Sequence, residues 1–182
     1  MQAQRPVLQE WPDDGILLVV TSSTDYRQAV HRIVRLLTQR FPKGVYLTAN
    51  RPHHFLRDAF AEDGVPRDAL QYVDCVSGLT GIMPPPEPGV LYIESPTMLE
   101  KTAMRTEQLL RRQPQGERFL VVDSLSTLTV YNGVAAVAEL THNLVNRLRM
   151  QQIPAALVLV EKQAGDSLLD AVRPLCDGVV RL

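Results

Sequence analysis

From residue 15 to the end, short and almost wholly apolar runs alternate with stretches whose apolar residues recur at helical spacing. This alternation limits the chain to very few folds. Gly15-Ile16-Leu17-Leu18-Val19-Val20-Thr21 is polar only at its last position, the pattern of a strand buried on both faces. Across residues 25–41, Val30, Ile33, Val34, Leu37 and Phe41 fall on one helical face. Pro42-Lys43-Gly44 is expected to stop that helix and lead into a strand at Val45-Tyr46-Leu47-Thr48. A helix is expected over residues 52–63, with Pro52 in its first turn, and a strand over 70–75. A long proline-bearing loop, 76–89, separates that strand from another at 90–93. Ser95-Pro96 is expected to start a helix that runs to about Arg112. Strands at 119–123 and 156–160 flank an amphipathic helix over 134–150, and a helix near 168–172 and the run 178–182 close the chain. Five or six strands separated by helices give a three-layer α/β/α fold with a mainly parallel central sheet.

A length of 182 residues supports one such domain, with 1–14 as an N-terminal extension. Apolar residues make up 45% and charged residues 21%, which excludes wholesale disorder. The net charge of −1 gives no general attraction to nucleic acid or anionic membrane. Arg111-Arg112 and Arg147 with Arg149 lie on expected helices and read as solvated faces. Two cysteines, Cys75 and Cys176, lack metal-ligand spacing and read as free thiols beside strands in a reducing compartment. No secretory signal or span of about 20 apolar residues is present, so a cytoplasmic location is expected.

In an open parallel sheet, ligands bind beyond the carboxyl ends of the strands. The residues to examine are therefore 21–25, 48–51, 74–77, 123–126 and 161–163. In "FLVVDSLSTLTVYNG", residues 119–133, an apolar strand runs into Asp123-Ser124, where a carboxylate at the sheet edge could hold magnesium. The same residues could simply bond nearby backbone amides. This stretch resembles the RecA/KaiC/Rad55-type ATPase superfamily, whose apolar strand runs into Asp-Ser-Leu-Ser-x-Leu. "GVYLTANRPHHFLRDAFAEDGV", "YVDCVSG" and "LCDGVVRL" are similar to its second, third and closing strands, in order. The likeness extends over residues 15–182 and is greatest to short, single-domain archaeal members. It implies a RecA-like fold with strand 156–160 between strands 16–20 and 119–122, which brings 21–25 near Asp123.

The resemblance also implies a phosphate-binding loop after the first strand, and here the chain departs from the pattern. Such a loop needs glycines that let backbone N–H groups converge on phosphate, and a lysine. Thr21-Ser22-Ser23-Thr24-Asp25 has neither, and the nearest lysine is Lys43. Ser23 or Thr24 is expected to cap the following helix, with Asp25 favourable to its dipole. At the family's water-activating position after the second strand stand Ala49, Asn50 and Arg51, and Asn50 cannot accept a proton as a carboxylate does. The sequence thus implies a degenerate Walker A motif and a regulatory or scaffolding domain without ATPase activity.

One alternative is a nucleotide-binding protein or weak ATPase with a non-standard phosphate site at Thr21, Ser22, Ser23, Thr24, Asp123 and Ser124, with magnesium on Asp123. Another is a recombinase accessory, which would need a basic strip. No resident cofactor is called for, ATP with magnesium being the one candidate. The expected partner is another protein or a second copy, with neither nucleic acid nor membrane favoured. Elsewhere, His53 and His54 are adjacent and diverge, so they do not form a metal pair. His142 reads as a helix-surface residue, no serine lies in a nucleophile turn, and Glu161-Lys162-Gln163 reads as a solvated strand exit.

Overall fold

The structure, a computed structural model, describes residues 11–161 and 165–182. Its elements run β1 (Ile16–Thr21), α1 (Tyr26–Arg40), β2 (Lys43–Thr48), α2 (His53–Glu62), β3 (Leu70–Asp74), β4 (Val90–Tyr92), α3 (Leu99–Arg112), β5 (Arg118–Asp123), α4 (Leu125–Tyr131), α5 (Val134–Met150), β6 (Ala155–Val160), α6 (Gly165–Val172) and β7 (Gly178–Arg181). All seven strands pair in parallel, in the order β4-β3-β2-β5-β6-β1-β7. Strand β6 lies between β1 and β5, as the resemblance implied.

Because alternate strand residues face opposite sides, the sheet separates two cores. Leu17, Val19, Tyr46, Phe119 and Val121 pack with Val30, Ile33 and Leu37 of α1 and Leu56 and Phe60 of α2. Ile16, Leu18, Val45, Leu47, Leu120 and Val122 pack under α3, α4, α5 and α6. Trp11, the first residue described, is buried in the former core, and its indole N–H donates to the Gly15 carbonyl at 3.0 Å.

Several local expectations are corrected. Strand β2 begins at Lys43, not Val45, because Lys43 and Gly44 pair with Arg118 and Phe119 of β5; only glycine fits at 44, where a Cβ would come within 2.3 Å of the Phe119 ring. Helix α3 begins at Leu99, since Ser95 first closes a turn by accepting the Met98 N–H at its carbonyl, 3.0 Å away. Helix α4 was not foreseen: its Thr, Val and Tyr content favours strand. It forms because Ser124 accepts the Thr127 N–H at 3.1 Å as N-cap, and Leu125 and Leu128 bury the same side.

Candidate functional site at the carboxyl edge of the sheet

Register places Asp123, the last residue of β5, opposite Thr48 at the end of β2. Its side chain follows Phe119 and Val121 onto the α1/α2 side of the sheet, where it is fully buried. Three side chains converge on the carboxylate. The Tyr26 hydroxyl, at the first residue of α1, lies 2.7 Å from Oδ1 and 2.6 Å from Oδ2. The Tyr46 hydroxyl, from within β2, donates to Oδ2 at 2.6 Å. Asn50, in the turn after β2, donates from Nδ2 to Oδ1 at 2.8 Å and to the Tyr26 oxygen at 2.8 Å.

The network continues outward through Asn50 Oδ1, which accepts from the Thr127 hydroxyl, itself 3.0 Å from Ser124 Oγ. Asp123 and Ser124 are joined by a cis peptide, and the Asp123 carbonyl accepts the Ala49 N–H at 2.7 Å. Burial raises the Asp123 carboxyl above its ordinary range, while the bonds from Tyr26, Tyr46 and Asn50 pull the other way. Burial, then the Asp123 charge, pushes both phenols upward, which keeps them hydrogen-bond donors.

At the β1–α1 turn, Ser22 Oγ accepts the Asp25 N–H at 3.1 Å, donates to Asp25 Oδ2 at 2.6 Å, and lies 2.8 Å from Thr24 Oγ1. The expected cap is thereby corrected. Asp25 is the N-cap by backbone position and makes no side-chain cap bond, while Ser22 closes the turn by reaching three residues forward. Thr21 is buried and Ser23 and Thr24 are exposed. The fold therefore brings residues 21–25 and 123–124 to strand ends on either side of β6, with Tyr26 bridging them. A hollow of about 190 Å³ there is lined by Ser23, Tyr26, Asn50 and Val160.

Further along the edge, α4 is fastened to β6 through Ser126, whose hydroxyl accepts the Val160 N–H at 2.7 Å. Glu161 pairs with Arg181, whereas Lys162 and Gln163 lie outside the described residues.

A second polar cluster sits at the ends of β3 and α2. Asp74 is fully buried and accepts from the Val76 N–H at 2.8 Å, the Ser77 N–H at 2.9 Å, the Ser77 hydroxyl at 2.7 Å and the His53 N–H at 2.9 Å. His53 Nδ1 also lies 2.9 Å from Asp74, and its Nε2 lies 3.0 Å from Glu87, which pairs in turn with Arg57. Burial disfavours the imidazolium, but the bonds to Asp74 and Glu87 outweigh it and raise His53 above its ordinary value. Burial likewise opposes ionised Asp74, yet the bonds from His53 and Ser77 hold its carboxyl well below the usual range. Glu87 thus fastens the end of loop 76–89 to the body of the domain.

Sequence reasoning assigned no role to Tyr26, Tyr46 or His53 in these clusters. A buried phenol needs a polar partner, so Tyr46 inside an otherwise apolar strand was the available signal. Among the described residues, no group of three or more His, Cys, Asp or Glu side chains is placed to hold a metal ion, and no helix is long and apolar enough to cross a membrane.

Residues 15–182 match the family of unknown function DUF7504 along their whole length. The chain belongs to that family. A search of curated proteins finds no match. Among solved structures, a KaiC-like protein from the hyperthermophilic archaeon Pyrococcus horikoshii is similar with a TM-score of 0.63 and 13% identity, covering 94% of this chain and 72% of that one. An uncharacterised protein from the same organism, solved in complex with an unknown peptide, is similar with a TM-score of 0.67 and 16% identity, covering 92% and 77%. With the parallel seven-stranded sheet, these neighbours establish a three-layer RecA/KaiC-like fold for the DUF7504 chain.

Proposed function

We propose that this DUF7504 protein is a RecA-like domain that does not hydrolyse ATP and serves as a regulatory or scaffolding module. One observation carries the reading: the strand-end carboxylate that would hold magnesium is fully buried and already accepts from Tyr26, Tyr46 and Asn50. Magnesium demands near-octahedral oxygen ligands at about 2.0–2.1 Å and keeps several waters. To reach Asp123 it would have to displace the Tyr26 hydroxyl and desolvate without replacement. The residues present do not fit a magnesium–nucleotide complex.

Two features support the same conclusion. The β1–α1 turn has no glycine or lysine, and its Ser22 hydroxyl is directed at its own backbone. The hollow above Asp123, about 190 Å³, falls below the roughly 300–1,000 Å³ of ordinary ligand pockets. One fold neighbour is a complex with a peptide, which makes protein binding the natural form of a scaffolding role. Steady-state ATPase assays with magnesium test the proposal. Turnover is expected at buffer background; turnover well above it that Asp123→Asn abolishes would refute it.

The second reading, a small anion held by Ser23, Tyr26 and Asn50, draws on the hollow those residues line. Calorimetric titration with ADP and with inorganic phosphate tests it, and flat traces at millimolar ligand would remove it.

A further inference from the structure

Three segments that meet at the carboxyl edge carry no charged residue: 75–86, 95–99 and 124–138. In a chain with 21% charged residues, three such runs at one edge stand out, and Glu94, exposed between two of them, is paired with Lys101. It is also where exposed apolar side chains gather. Ile82 is 77% exposed and Val130 71%, and Leu79, Met83, Met98 and Tyr131 are exposed as well.

These residues belong to one surface. A Cβ on Gly78 would meet Met83 Sδ at 3.0 Å, the Ile93 carbonyl at 2.9 Å and Glu94 Cα at 3.0 Å, so the turn after β3 lies against the end of β4. The Asn132 side chain donates to the Pro96 carbonyl at 3.1 Å, which joins the end of α4 to the segment bearing Met98. The surface is also held in place. Glu87 pins the loop to His53 and Arg57, and Ser126 pins α4 to Val160. A preorganised surface loses less entropy when it is covered.

We propose that this edge is the contact surface of a symmetric homodimer. In a two-fold interface each residue near the axis meets its own copy or a neighbour of it, so a charge there would face its like. The surface avoids that repulsion: Glu94 and Lys101 at its border pair with each other, so they bring no unpaired charge to the copy, whereas a charged partner would gain nothing from it. The area approaches what a dimer needs. Fully exposed large apolar side chains offer on the order of 150 Å² each, so these six present on the order of 500 Å², at the upper end of apolar patches on monomers. Pro85 and Pro86, also exposed, extend it towards the roughly 800 Å² per partner of a stable complex. The dimer rests on this surface alone and not on the state of Asp123, so it stands or falls separately from the absence of ATPase activity.

Sedimentation equilibrium of the full chain without nucleotide, from 1 to about 200 µM, tests the proposal. The expected species has twice the 20.4 kDa protomer mass. Ile82→Arg and Val130→Arg, both at exposed positions, should each weaken dimerisation at least thirty-fold with an unchanged circular dichroism spectrum. Met150→Arg, at the exposed end of α5 that leads into the start of β6 and so at the opposite edge of the sheet, should leave it intact. A protein that stays at 20.4 kDa throughout, or a dimer that Met150→Arg dissociates while both edge variants do not, would overturn the proposal.

Discussion

Replacing Tyr46 with Phe removes a single hydroxyl and leaves the ring, and so the surrounding packing, in place. Tyr46 is fully buried, and its hydroxyl donates to Asp123 Oδ2 at 2.6 Å. A hydrogen bond to a charged group contributes about 1.5–3 kcal/mol net. The variant should therefore lose about 2 kcal/mol, less than full exposure of the charge because Tyr26 and Asn50 still donate. For a domain of this length, each kcal/mol shifts the melting temperature by about 2–4 °C, so a fall of roughly 4–8 °C is expected. If the stabilisation depends on the Asp123 charge, it should shrink to about 1 kcal/mol in an Asp123→Asn background, where the bond is neutral. Urea denaturation of wild type, both single variants and the double variant at pH 7 gives the coupling directly. A Tyr46→Phe protein within about 0.5 kcal/mol of wild type, with no coupling to Asp123→Asn, would refute the claim that the carboxylate is held by internal donors.

Four further outcomes follow from the geometry. His53 sits between Asp74 and Glu87 with its proton affinity raised above the ordinary 6.5; its stabilisation is full below that value and is lost as pH climbs through the folded-state value, so denaturation from pH 6 to 9 should show falling stability that His53→Gln flattens. Asp74, held low, acts in the opposite sense, its contribution disappearing only as pH falls below 3.8. Gly44→Ala would drive a methyl to 2.3 Å from the Phe119 ring and should cost about 1–3 kcal/mol by thermal melting, recovered in part by Phe119→Leu. Cys75 is buried and its thiol is pushed up to about 12, so it should resist a thiol reagent in the folded protein and react on unfolding.

The layered fold was legible because each strand is apolar for a reason periodicity can see: β1, β5 and β6 are buried on both faces throughout. The nearness of residues 21–25 to Asp123 came with the strand order that the RecA/KaiC resemblance implied, and the sheet has that order. The contacts that close over Asp123 were not legible. Tyr26 and Tyr46 lie 97 and 77 positions from it and count as apolar in any pattern, although it is their hydroxyls that matter. His53 was weighed only against a helical metal pair, while its partners, Asp74 and Glu87, come from a strand end and a loop 21 and 34 residues away. Helix α4 escaped notice because its residues favour strand locally, and only the Ser124 cap and the burial of Leu125 and Leu128 make it a helix.

The most direct test of a closed strand-end carboxylate is a titration of the protein with manganese–ATP, followed by NMR at the Asn50 side-chain amide and the Thr127 backbone amide. Both groups lie in the network around Asp123. The account expects their signals to broaden no more than those of surface amides. Selective broadening at these two positions, relieved by excess magnesium–ATP, would place a metal–nucleotide complex beside Asp123 and contradict it.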